Sequence, residues 1–290
     1  MISPALSVCR ALRHPLRVGY RLAALATLVV LAWFDSVRRP RRSLPARAAW
    51  ASRWLGRCVR VAGIRINRTG PAPGNGLLVA NHLSYLDILV LAAVQPTIFV
   101  ARHDLHTVPV FGRVASHAGT IFLNRQRKRD LLAVVAALPR VVEAGIAPLF
   151  FPEGYTTDGR ALLPFRSSLF APAVTHQRPI FPIHINYALE DGGGSVADEV
   201  CWWGRMPFWS HGLNLLAKRH VKVRLVFGLA VAPGHDRKRL ARAVRTRVSA
   251  LAEQAVPAGE PALAPGAPLF AVAEDMIRPV PPRLLSCSTS

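Results

Sequence analysis

The sequence predicts an α/β fold: a mostly parallel sheet flanked by helices, preceded by an N-terminal membrane-associated helical segment. Three observations carry this. Short apolar runs alternate with longer stretches of helical period, the pattern of strand–helix–strand units. The polar motifs fall where apolar runs stop, as expected at the carboxyl ends of strands. The first part of the chain differs in kind, with an apolar run set between clusters of arginine.

That front carries Arg10, Arg13, Arg17 and Arg21, then the uncharged run Leu22 to Phe34, then Arg38-Arg39-Pro40-Arg41-Arg42. A run of about 13 residues is short of the ~20 that span a bilayer. Arginines on both flanks give no positive-inside asymmetry, and a dense cluster after the run opposes export as a signal peptide. The expected arrangement is a helix dipping into the cytoplasmic leaflet, at the cytoplasmic face of the cell (inner) membrane, with one tilted span as the alternative. A second helix is predicted from Pro45 to Val61. Trp50, Trp54, Cys58 and Val61 share one side, and Arg53, Arg57 and Arg60 lie on the adjoining side. Rings beside guanidinium groups suit a headgroup boundary, while an ordinary packed helix with a solvated basic face is the other reading.

The Pro/Gly loop 70–76 follows. Strands are then expected near 77–80, 97–100, 120–123, 148–151, 179–186 and 221–227. Helices are expected near 85–94, 110–117, 129–143, 168–175, 207–219 and 235–254. The organisation is thus 1–66 as membrane-associating helices, 67–255 as the globular domain, and 256–290 as a Pro/Ala-rich disordered tail. Pro179 and Pro182 in one strand suggest a sheet edge or a substrate-facing wall.

Totals narrow the function. At 290 residues the chain can bury a sizeable core. Its formal charge of +21 points to a polyanionic partner, either nucleic acid or an anionic membrane surface. Cys9, Cys58, Cys201 and Cys287 have no paired spacing, so neither a disulfide framework nor a metal knuckle is indicated. His103 and His106 form the one close histidine pair, and nothing nearby completes a metal site; none is expected. No nucleic-acid-binding motif is present, so a non-enzymatic binder of nucleic acid or membrane is a distant alternative.

The chemistry centres on Asn81-His82-Leu83-Ser84-Tyr85-Leu86-Asp87, a polar turn between two apolar runs. Ser84 is placed to cap the following helix, with Asp87 as the capping-box acid. Positions five apart on an ideal helix are separated by about 140°, so His82 and Asp87 meet only if His82 lies in the turn. If they meet, the acid fixes the imidazole tautomer, giving the base and orienter of a triad without its nucleophile. If not, Asp87 caps a helix and His82 is a turn residue. Three further stretches stand out: Ile121-Phe122-Leu123-Asn124-Arg125; Phe150-Phe151-Pro152-Glu153-Gly154 with its polar loop to Ser168; and Ile180-Phe181-Pro182-Ile183.

Asn-His-x-Ser-x-x-Asp, Phe-Leu-x-Arg, Phe-Pro-Glu-Gly and Ile-Phe-Pro-Ile, in that order, resemble the glycerolipid acyltransferase family typified by bacterial 1-acyl-glycerol-3-phosphate acyltransferases. The resemblance covers roughly residues 60–230 and makes 67–255 the acyltransferase domain. It implies transfer of a fatty acyl group from acyl-coenzyme A or acyl carrier protein to a lysolipid hydroxyl, with no other cofactor. It implies His82 as general base and Asp87 as its orienter, with Asn81, Ser84, Arg125, Glu153 and Gly154 around the acceptor. The residues agree on the chemistry. With no Gly-x-Ser-x-Gly elbow and no plausible Cys nucleophile, the acceptor hydroxyl must attack the thioester directly. The partners expected are anionic membrane lipids, the lysolipid acceptor and the thioester donor, not nucleic acid. The family's third block commonly continues Thr-Arg, where this chain has Tyr155 and Thr156. Arg160 and Arg166 are the candidates to replace that arginine. The acceptor is therefore expected to be 1-acyl-sn-glycerol-3-phosphate, with lyso-ornithine lipid, which lacks phosphate, as the alternative: the Thr-Thr-Asp-Gly continuation resembles that branch.

Overall fold

The computed structural model describes residues 13–107, 111–124, 128–190 and 194–255. Arg125 and the predicted tail over 256–290 lie outside them. Helix α1 spans Pro15–Arg38 and α2 spans Leu44–Val61. Both start with proline in the first turn, where a missing N–H costs nothing. Ser43 caps α2 by accepting from Ala46 N.

Strand β1 (Ile64–Thr69) comes next, then β2 (Leu77–Ala80), α3 (Leu86–Val94) and β3 (Thr97–Arg102). A 3-10 turn at His103–Thr107 leads to α4 (Phe111–Ala118), β4 (Ile121–Leu123), α5 (Lys128–Glu143) and β5 (Ala147–Phe150). A 3-10 turn at Ser167–Phe170 runs into α6 (Ala171–Thr175). The chain closes with β6 (Ile180–Leu189), α7 (Val196–Glu199), α8 (Phe208–Ala217), β7 (Val221–Phe227) and α9 (Arg237–Ala255).

The strands form one sheet in the order β1-β7-β6-β2-β5-β3-β4. All neighbours are parallel except β6 and β7. The mostly parallel α/β fold is as expected. In β2 the side chains alternate between two cores. Leu78 and Ala80 join the layer of α2 and α3, with Val59, Leu86 and Val90. Leu77 and Val79 join the layer of α5 and α9, with Leu138 and Val244. A strand covered on both faces has to read as continuous hydrocarbon, as Leu77-Leu78-Val79-Ala80 does.

Three expectations need correction. Strand β1 lies across the expected 66/67 boundary and pairs with β7, so the sheet begins before the Pro/Gly loop. Its Ile64-Arg65-Ile66-Asn67 start alternates apolar and polar, as a half-solvated edge does, but the polar Arg68 and Thr69 that follow break the pattern. Second, β6 is interior, between β2 and β7, despite Pro182. The proline nitrogen falls where the ladder is interrupted, between the Ile180–Val231 bridge and the Ile183–Phe227 pair, and its carbonyl still accepts from Gly228 N at 2.8 Å. Third, Trp50 does not face outward. It is buried beside Ala32 and Ala51, with its ring edge-on to His117 at 4.5 Å. Helix α1 is 24 residues, longer than its apolar run, because arginines at both ends continue the helix.

Helix α1 is attached to the sheet domain at both ends. Arg17 Nη1 donates to Ala217 O, and Arg21 donates to the carbonyls of Leu216, Lys218 and Arg219. The Leu216 and Ala217 carbonyls belong to the last turn of α8, which leaves its final carbonyls without helical partners; those of Lys218 and Arg219 follow just past it. At the other end Asp35 accepts from Trp54 Nε1 and Arg41. Along its length α1 exposes Tyr20, Val30, Trp33, Phe34 and Val37. It is the one helix among the described residues long and apolar enough to cross a membrane.

Candidate active site

The site forms where β2 and β5 end side by side. Their parallel register sets Leu78 beside Leu149 and Val79 beside Phe150. The same offset carried past the strand ends puts His82 opposite Glu153. From β2 the chain crosses over β5 through α3; from β5 it crosses over β2 through the opposite layer. Divergent connections open a crevice at the carboxyl ends of the two strands, the usual ligand position in open α/β sheets.

His82 lies in the turn, and its Nδ1 is 2.8 Å from Asp87 Oδ2. Asp87 is fully buried. Its Oδ2 also accepts from Leu83 N at 2.7 Å and Ser84 N at 2.9 Å, and its Oδ1 accepts from Tyr187 Oη at 2.7 Å. Four contacts hold the carboxylate aimed. Nδ1–H donating to Asp87 leaves Nε2 with its lone pair, the form a general base requires. The imidazole stacks on Phe151 with centroids 4.0 Å apart, which fixes the ring plane.

The backbone of His82 is held as firmly. Its N–H donates to Glu153 Oε1 at 2.8 Å, and its carbonyl accepts from Thr157 N at 3.0 Å. Glu153 is buried, and its Oε2 accepts from Leu163 N at 2.9 Å. Burial raises its carboxyl to about 7, against the pull of those two N–H donors. The Leu162 and Leu163 carbonyls accept from Arg245 of α9. Phe151 to Gly154 form a tight turn in which Gly154 N reaches Phe151 O, with Pro152 second and Gly154 last at φ +85°. Proline and glycine suit those two places.

The other sequence-predicted residues are placed as follows. Asn81 is buried, its amide donating to Ile185 O and accepting from Ile185 N, so both ends of the side chain tie β2 to β6. Ser84 is fully buried, and its Oγ makes no hydrogen bond. It does not cap α3, which starts at Leu86; the Asp87 carboxylate alone supplies the cap. Arg166 lies over the Tyr155 ring at 5.3 Å, with its backbone N donating to Pro152 O. Arg160 projects into solvent beside Asp158, 3.4 Å away. Arg125 lies outside the described residues. Tyr187 and Arg245 were missed. A tyrosine in register with Ile183 and Ile185 on a buried face needs a hydroxyl partner, which was the available signal; Arg245 gave none.

An apolar cavity of about 240 Å³ lies next to this turn. Tyr85, Leu86, Leu89, Ile64 and Val221 line it from the domain, Leu22 and Leu25 from α1, and Phe208 and Leu213 from α8. Tyr85 Oη is 3.2 Å from His211 Nδ1, tying the turn to α8.

Residues 58–186 match the family described as Acyltransferase. The chain is 31% identical over 190 residues to the 1-acyl-sn-glycerol-3-phosphate acyltransferase of Neisseria gonorrhoeae, covering 65% of this chain and 74% of that one. It is 36% identical over 199 residues to the lyso-ornithine lipid O-acyltransferase of Rhodobacter capsulatus, covering 66% and 71%. With the lyso-ornithine lipid O-acyltransferase of Rhizobium meliloti the identity is 33% over 253 residues, covering 82% and 84%. The fold is similar to the crystal structure of the 1-acyl-sn-glycerophosphate (LPA) acyltransferase, PlsC, from Thermotoga maritima. The TM-score is 0.58 at 20% identity, covering 84% of this chain and 98% of that one.

Proposed function

The chain belongs to the acyltransferase family that its 1-acyl-sn-glycerol-3-phosphate and lyso-ornithine lipid relatives share, and from that premise we propose that it transfers a fatty acyl group from a coenzyme A or carrier-protein thioester to the hydroxyl of a lysolipid. The supporting observation is His82 Nδ1 bound to the buried Asp87 carboxylate, which leaves Nε2 free to take a proton. In this reading Nε2 removes the acceptor hydroxyl proton as the oxygen attacks the thioester carbonyl. The tetrahedral intermediate collapses, the C–S bond breaks, and the imidazolium returns the proton to the departing thiolate. The products are the ester and a free thiol, and no acyl-enzyme forms. General base catalysis of this kind supplies about 10²–10⁴-fold, and positioning of two bound substrates supplies the rest.

Asn81, Ser84, Glu153 and Gly154 support this site from beneath, by holding the His82 turn. Arg166 is the cation that would face the acceptor. The cavity beside Tyr85 takes an acyl chain. Between the two acceptors, Tyr155 and Thr156 in place of the family's Thr-Arg favour lyso-ornithine lipid, and Arg166 near Tyr155 keeps 1-acyl-sn-glycerol-3-phosphate as the second reading. Both ends of α1 are tied to the domain, so it would lie along one leaflet rather than cross, on the cytoplasmic face, where unpaired Cys58 and Cys201 stay reduced.

The test is purified His82→Ala assayed with each lysolipid and an acyl thioester. Normal turnover in that variant sinks the mechanism. Lipid profiles of a strain lacking the protein then separate the acceptors: loss of ornithine lipid with normal phosphatidate identifies the first.

A further inference from the structure

A second cavity, of about 400 Å³, lies between the C-terminal half of α1 and α2, and it shares no lining residue with the cavity beside Tyr85. Arg38 at the end of α1, Arg39 just past it, and Arg53 and Arg57 from α2 line it. Arg53 and Arg57 are one turn apart, so they face the same way. The one acid in its lining, Asp35, is already taken: it accepts from Arg41 at 2.8 Å and Trp54 Nε1 at 3.0 Å. None of the four arginines is within ion-pair distance of a carboxylate among the described residues. Arg57 instead lies over Trp54 at 4.5 Å, and Arg38 over Phe34 at 5.8 Å. Four arginines share the one Asp35 carboxylate, which Arg41 also holds, so a net positive charge remains in the hollow, and an anion among them relieves the repulsion.

We propose that this hollow is a seat for the phosphate of an anionic phospholipid of the bilayer, separate from the reaction site, that holds the protein on anionic membrane surfaces. The inference rests on the membrane-surface reading above and names its lipid contact. The hydrocarbon around the hollow selects a lipid over a soluble phosphate. Leu31 and Phe34 line it, and the neighbouring Trp33 and Val37 are exposed, at 57% and 60%. Guanidinium groups beside exposed rings match the boundary where a phosphate meets acyl chains. A carrier-protein surface or a duplex would meet the cations but leave that hydrocarbon in water.

Flotation on vesicles of phosphatidylcholine, with and without phosphatidylglycerol, tests this on the full chain. Arg53→Gln/Arg57→Gln and, separately, Arg38→Gln/Arg39→Gln are expected to weaken partition onto the anionic vesicles by about 10- to 30-fold each. The control Arg239→Gln/Arg242→Gln removes the same charge from exposed positions on α9 and is expected to lose at most about threefold. Equal losses in basin and control pairs, or wild-type partition in both basin pairs, overturn the seat. Excess inorganic phosphate should not displace the vesicles at matched ionic strength; displacement, or equal selective loss of duplex DNA binding, overturns the assignment to lipid. His82→Ala should float as wild type does. Failure of the seat with acyl transfer intact indicts the seat alone, and basin-dependent flotation without any acyl transfer indicts the proposed reaction alone.

Discussion

Tyr187 on β6 donates its phenol hydrogen to Asp87 Oδ1 at 2.7 Å, at a carboxylate oxygen that no other donor among the described residues reaches. Asp87 thus sits between the His82 turn and the strand that Asn81 also grips. Burial and the Asp87 charge push the Tyr187 hydroxyl well above its ordinary range, so it is always a donor here. Tyr187→Phe should destabilise the fold by about 1.5–3 kcal/mol, the loss of a hydrogen bond to a charged group. It also leaves more negative charge facing His82 Nδ1, which favours the imidazolium. The acid limb of the kcat/KM profile should therefore move to higher pH. Urea midpoints read the first effect and rate–pH profiles the second; an unmoved acid limb would leave Tyr187 a purely structural residue.

Asp87→Asn keeps the size of the side chain and removes its charge. Its amide oxygen can still take the three donors now on Oδ2, with the NH₂ turned to the Tyr187 oxygen. The turn should survive, while the imidazolium loses the charge that stabilises it. The expected outcome is a fall in kcat of about 10²–10⁴ with KM nearly unchanged, measured by steady-state kinetics at saturating thioester.

Much of this arrangement was legible beforehand because it is local. His82 and Asp87 are five positions apart, and an apolar run on each side fixes the strand and the helix that hold them. What stayed hidden is what depends on register between distant strands. Asn81 faces Ile185, and His82 faces Glu153, only because β2 lies between β6 and β5. That order places Glu153 against the backbone N–H of His82. It also made Pro182, expected to mark either a sheet edge or a substrate-facing wall, an interior residue of the sheet, since a proline needs only a gap in one ladder. Trp50 was misplaced for a related reason. A tryptophan on a basic helix has the same pattern whether lipid or another helix covers it, and here α1 does.

Glu153 gives a pH dependence of its own. Its folded carboxyl titrates near 7, against an ordinary value of 4.5. A raised carboxyl binds its proton more tightly when folded, so its stabilising effect is present below 4.5 and is lost as pH rises to about 7. Function runs the other way, because only the carboxylate accepts from both His82 N and Leu163 N. Activity should fall as pH drops through about 7, with Glu153 contributing one proton to that limb. In Glu153→Gln that proton should drop out of the limb, making it less steep, and activity should drop at all pH values, since the amide offers one acceptor for two donors. Rate–pH profiles of both proteins decide this; identical steepness would exclude Glu153 from the limb.

Arg21 is mostly buried, and its guanidinium closes the end of α8. Arg21→Gln cannot reach three carbonyls, and the cost should be about 1–3 kcal/mol. The loss should be local: α1 loosens from α8 while the sheet holds. Hydrogen exchange in the N-terminal half of α1 should quicken, with protection in β2 and β5 unchanged. Uniform loss of protection would mean that α1 unfolds only with the whole domain.

Arg166 and Arg160 separate by position. Arg166 is anchored through its backbone at the Pro152 carbonyl and lies over Tyr155, beside the turn that carries Glu153. Arg160 is solvated and meets Asp158. Removing a charge-assisted contact to a bound anion costs about 1.5–3 kcal/mol, which is about 10- to 150-fold in KM. Arg166→Gln should raise KM by that amount for a phosphate-bearing lysolipid and by far less for lyso-ornithine lipid, whose headgroup has no phosphate. Arg160→Gln should change either KM by less than about twofold, as an exposed, solvent-screened charge does. Steady-state kinetics with both acceptors reads the contrast. If Arg160→Gln carries the larger effect, the loop that holds it must close over the acceptor when it binds, bringing the side chain in from solvent.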